Sequence, residues 1–79
     1  MKIRLFCTIP QRLIQQPLLF TLVSRFQVVP NIRGASVTEN IAILSLEIEG
    51  EDAKVDAAVE FLRAEGVQVE FLKDDDAVA

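Results

Sequence analysis

Apolar residues occupy every second position from Ile3 to Ile9, alternating with Lys2, Arg4, Phe6 and Thr8. This period of two predicts a first strand with Ile3, Leu5, Cys7 and Ile9 facing inward. Pro10, Gln11 and Arg12 end it, and a loop is expected through Gln15 and Gln16. Pro17 suits the first position of a helix, where its missing N–H costs nothing. Leu18, Leu19, Leu22, Val23 and Phe26 then share one stripe at helical spacing, with Phe20 off the stripe and partly exposed. A second strand is expected over Val28–Val37. Pro30 cannot donate a ladder hydrogen bond and argues for an edge strand. Gly34 points to a bulge or to close approach by a ligand or another backbone. Thr38, Glu39 and Asn40 form a short polar turn, so strands two and three make a hairpin. In the third strand Ala42, Leu44, Leu46 and Ile48 point to the core, and Ile41, Ile43, Ser45 and Glu47 point away.

Gly50, Glu51 and Asp52 open a second helix, with carboxylates at its positive end. Val55, Ala58, Val59 and Leu62 repeat at i, i+3, i+4 and i+7, and Gly66 stops the helix after Glu65. Val67, Val69 and Phe71 give the inward face of a last strand. The order is strand, helix, strand, strand, helix, strand. It predicts an α+β, ferredoxin-like βαββαβ sandwich, a four-stranded antiparallel sheet with two helices on one face. Strands one and three are then central, and Pro30 falls on an edge. Residues 1–73 form this domain, and 74–79 an acidic tail. The sheet's outer face carries Arg4, Phe6, Thr8, Asn31, Arg33, Ile43, Ser45, Glu47, Glu70 and Leu72, a mixture of apolar and charged groups suited to partial cover by another molecule.

Seventy-nine residues, 51% of them hydrophobic, make one small domain. Such a chain buries roughly 60% of its unfolded surface. No apolar run approaches the ~20 residues that span a bilayer, and the N-terminus alternates like a strand instead of leading a signal peptide. The expectation is a cytoplasmic protein with no direct membrane insertion. Charge is sharply segregated: residues 1–38 hold five bases and no acid, and residues 39–79 hold twelve acids against three bases. These halves attract one another within the fold, or complementary edges meet in an oligomer.

The composition excludes much chemistry. There is no histidine for acid–base work near neutral pH, and Ser24, Ser36 and Ser45 have no recognisable base partner. Cys7 is a lone cysteine on an apolar strand face and reads as a small buried hydrophobe. No metal-ligand spacing and no Gly-rich phosphate loop is present. Nucleic-acid binding on this fold needs aromatics on both central strands and a basic face. Here strand one offers only Phe6, and the pI is near 4.6. The reading is therefore a non-enzyme with no cofactor, no metal and no nucleic-acid partner.

Asn31-Ile32-Arg33, followed by Gly34-Ala35, resembles the Asn-Ile-Leu signature of the NIL domain, with Arg33 in place of the apolar third residue. Thr8-Ile9-Pro10, Pro17-Leu18-Leu19, Leu46-Glu47-Ile48-Glu49-Gly50 and the run from Phe61-Leu62 to Glu70 also match, so the resemblance spans almost the whole chain. The family is known as a regulatory C-terminal domain of methionine ABC importer ATPases, whose ferredoxin-like domains pair and bind methionine. The resemblance implies a small-molecule-sensing domain that works as a homodimer and binds an amino acid such as methionine. Asn31 matches the family position that contributes to methionine binding. The candidate ligand-binding residues are Asn31, Ile32, Arg33 and Gly34. As a free-standing module the chain would act through another polypeptide. The alternative is a protein–protein interaction adaptor without a small ligand. It would use the open sheet face, with Phe6, Ile43 and Leu72 as anchors and Arg4, Glu47 and Glu70 at the rim.

Overall fold

The computed structural model describes residues 1–72, so the acidic tail expected at 74–79 lies outside the described residues. The elements run β1 (Lys2–Pro10), α1 (Gln11–Ile14), α2 (Leu18–Phe26), β2 (Val29–Val37), β3 (Ile41–Glu49), α3 (Asp52–Glu65) and β4 (Gln68–Leu72). The strands form one antiparallel sheet in the order β2-β3-β1-β4. The ferredoxin-like arrangement, its central and edge strands and its hairpin are all as the pattern predicts.

Alternation on β1 works as expected. Leu5, Cys7 and Ile9 are buried and face Leu46, Leu44 and Ala42 along β3. Over them lie Leu18 and Leu22 of α2 and Val55, Ala58, Val59 and Leu62 of α3. The two long helices also meet directly: the Phe26 and Phe61 rings stand 5.3 Å apart, and the Arg25 guanidinium lies 5.3 and 5.4 Å from their centroids. Cations over aromatic faces at this range attract the ring quadrupole.

Four local expectations are corrected. The segment after β1 holds a single helical turn, α1, instead of a plain loop, because Leu13 turns inward to join the core. Pro17 precedes α2 as its cap instead of opening it, and its carbonyl accepts hydrogen bonds from both the Thr21 N–H and hydroxyl at 3.0 Å. Val23 is half exposed, since only Leu18 and Leu22 of the stripe reach full burial. Phe71 shares the inner face with Leu5, its partner on β1, but is more than half exposed at the sheet edge. There the Arg63 guanidinium covers its ring at 5.4 Å.

Candidate functional site

β2 is the least covered element of the fold. It lies at the sheet edge, and every residue in it except Pro30 is exposed. Its register against β3 slips between Ile32 and Gly34, so Arg33 is the extra residue of a β-bulge. The bulge expected from Gly34 is therefore present, one residue earlier. Within the chain Gly34 stands in open space, where a Cβ would meet only Ser45 Cβ at 3.9 Å. The slip puts Gly34 opposite Ser45 and leaves Arg33 without a ladder partner.

Register also joins two sets of candidate residues. Leu72, Arg4, Glu47 and Asn31 stand in one cross-strand row on the outer face. Arg4 donates from Nε to Glu47 Oε2 at 3.3 Å. Glu47, at 7% exposure, is buried on a nominally open face, between Arg4 on β1 and Asn31 on β2. Arg33, which could have opposed Glu47, does not; Asn31 holds that position. In the next row Phe6 stands between Ser45 and Glu70, and Ile43 lies one row further, between Thr8 and Ser36. Phe6, Ile43 and Leu72 are each only partly exposed, which limits them as protruding anchors.

Asn31 itself is exposed, and its side-chain amide makes no hydrogen bond among the described residues. It borders a groove of about 550 Å³ between α2 and the start of β2. Leu19, Phe20 and Val23 form the helix wall, and residues 28–32 the strand wall. Of the four candidate ligand residues, Asn31 and Ile32 line this groove, and Arg33 and Gly34 lie beyond it. Phe20 and Val23 were not among the candidates. The signal for Phe20 was its position off the buried stripe of its helix; Val23 gave none, because its spacing puts it on that stripe.

A second cleft of about 320 Å³ runs under the α1–α2 connection, from Gln16 and Phe20 down to Cys7. Gln16 is its single uncharged polar side chain besides the thiol. Burial pushes the Cys7 thiol up to about 11, so it stays protonated at neutral pH and is a poor nucleophile. Among the described residues no cluster of three or more His, Cys, Asp or Glu could hold a metal ion. None of their helices is long and apolar enough to cross a membrane.

The NIL domain family matches residues 4–71, most of the chain and all four strands. The chain belongs to the NIL domain family. NIL domains are regulatory modules of ABC transporter ATPases. Among solved structures, this NIL domain is similar to the C-terminal domain of an ABC transporter ATP-binding protein from Enterococcus faecalis. The TM-score is 0.78 at 20% identity, with 91% of this chain and 84% of that one covered. At that identity the likeness speaks for the fold. No curated protein matches the chain.

Proposed function

We propose that this NIL domain is a non-catalytic regulatory domain that binds an amino acid such as methionine at a homodimer interface on its α2–β2 flank. The observation that carries the reading is the β2 edge at Asn31 and Ile32. Ile32 faces the apolar groove against α2, and the Asn31 amide, exposed and without a hydrogen-bond partner among the described residues, stands on the outer face at the groove's rim. An amide offers both donors and an acceptor, as the ammonium and carboxylate of a free amino acid require. Leu19, Val23, Val28 and Ile32 offer an apolar wall to an unbranched thioether chain. Pairing supports the same flank, because the groove is open and β2 leaves its outer backbone groups unpaired. A second copy would close the one and satisfy the other. In a transporter, such ligand-linked pairing would restrain or release the ATPase to which the domain belongs or binds.

Calorimetric titration of L-methionine, with D-methionine and Asn31→Ala as controls, tests the reading. Stereoselective heat that disappears in Asn31→Ala is the expected result. No heat at millimolar L-methionine would overturn the amino-acid assignment and favour a protein-binding adaptor.

A further inference from the structure

The free edge of β2 is guarded in three ways. Pro30 has no N–H to give a new neighbour, the bulge interrupts the ladder, and the bulged residue is a cation, Arg33. Prolines, bulges and charges are the devices by which edge strands avoid pairing. Yet the strand is nine residues long, and Val29, Ile32 and Val37 are 56%, 52% and 61% exposed. Apolar exposure on this scale invites a partner, and the guards oppose one. An interface with both properties is conditional.

Position supplies the condition. Arg33 is the middle residue of Val29–Val37, with four strand residues on each side. Antiparallel pairing of β2 with a second copy over its full length therefore puts Arg33 opposite Arg33 at the two-fold axis. Like charges directly opposite across a strand pair are destabilising. Glu47, opposite Asn31 beside the bulge, is paired with Arg4. Among the described residues no carboxylate pairs with Arg33, residues 1–38 contain no acid, and α2 contributes a further cation, Arg25.

We propose that the β2 edge is an anion-dependent interface, at which an oxyanion held between the two Arg33 guanidiniums completes a symmetric dimer. One copy provides half of this site, so the site exists only in the pair. The planar guanidinium fork matches the geometry of carboxylate and phosphate oxygens. The inference rests on the homodimer reading above but not on methionine as the ligand. The carboxylate of a bound amino acid and a free inorganic oxyanion share the required chemistry.

Sedimentation equilibrium at low ionic strength tests it, with wild type, Arg33→Leu and Arg33→Glu. Each protein is run in chloride, in acetate and in inorganic phosphate at matched ionic strength. Wild type should dimerise about tenfold more tightly with an oxyanion than with chloride, the scale of a charge-assisted hydrogen bond. Acetate and phosphate separate a carboxylate source from a phosphate source. Arg33→Leu should dimerise about fivefold more tightly than wild type in chloride and lose the oxyanion response. An equimolar mixture of wild type and Arg33→Glu should form heterodimers in chloride in preference to either homodimer. Dimerisation that ignores both the anion and Arg33→Leu would overturn the inference and leave the homodimer standing. Monomers for every variant and mixture at high micromolar concentration would overturn both.

Discussion

Replacing Gly66 by alanine probes the junction on which α3 and β4 depend. Gly66 has φ 111° and ψ 11°, a conformation that side chains rarely adopt. Its N–H donates to the Arg63 carbonyl at 3.1 Å, and the Val67 N–H donates to the Leu62 carbonyl at 3.0 Å. With Val67 and Leu62 both buried, this is a Schellman closure with its hydrophobic contact. A methyl group would carry a backbone cost of about 1–2 kcal/mol. It would also collide with the Arg12 guanidinium, whose Nη2 donates to the Glu65 carbonyl at 2.9 Å. Losing that bond adds about 1 kcal/mol. The expected total is about 2–3 kcal/mol, against a stability of roughly 4–12 kcal/mol for a domain of this length. The Tm should fall by roughly 10–20 °C. Urea unfolding followed by circular dichroism would be run on Gly66→Ala, Arg12→Ala and the double variant. In the Arg12→Ala background the glycine substitution should cost only its backbone share. A Gly66→Ala variant within about 0.5 kcal/mol of wild type would refute the argument. Equal cost in both backgrounds would refute the part assigned to Arg12.

Burial raises the Cys7 thiol from 9.0 to about 11, so above pH 9 the unfolded chain loses a proton that the folded chain keeps. The stability this contributes is fully present below pH 9 and is lost as pH rises towards 11. Its size is of order 2–3 kcal/mol, and denaturation near pH 8 and near pH 10 should show a steeper loss in wild type than in Cys7→Ala. On the outer face, Arg4→Met leaves the buried Glu47 carboxylate without its partner and should cost about 2–3 kcal/mol. Adding Glu47→Gln should recover part of that loss, and a double variant as unstable as the sum of the singles would show that the pair is not coupled.

Strand and helix periods, the edge position of Pro30 and the stop at Gly66 made the architecture legible residue by residue. Each is a local signal: alternation on β1, i+3/i+4 spacing on α3, a missing donor, a left-handed turn. The helical turn at Gln11–Ile14 was hidden because a four-residue element shows no period, and Leu13 alone marks it. Exposure of Val23 and Phe71 was hidden for a different reason. Periodicity tells which way a side chain faces and is silent on whether the opposite layer extends over it. Coverage depends on how far α2 and α3 reach across the sheet, and that is a tertiary property. The site was legible in part. Asn31 and Ile32 stood out in the sequence and line the groove, but the helix wall from Leu19 to Val23 and the Leu72–Arg4–Glu47–Asn31 row depend on packing and register.

The central position of β1 also sets the order in which the domain can be built. Leu5 is enclosed by Leu46 on one side and Phe71 on the other, and both follow it by more than half the chain. At a synthesis rate of about 5–20 residues per second, β1 waits roughly 3–13 s for its second neighbour. Until β3 follows, its apolar face has no strand to pair with, and α3 comes later still. A nascent chain that stops after β3 holds three of the four strands but lacks α3 over the core and β4 at the second edge of β1. The sheet is therefore complete on both sides of β1 only when β4, the last strand among the described residues, is available to pair with it.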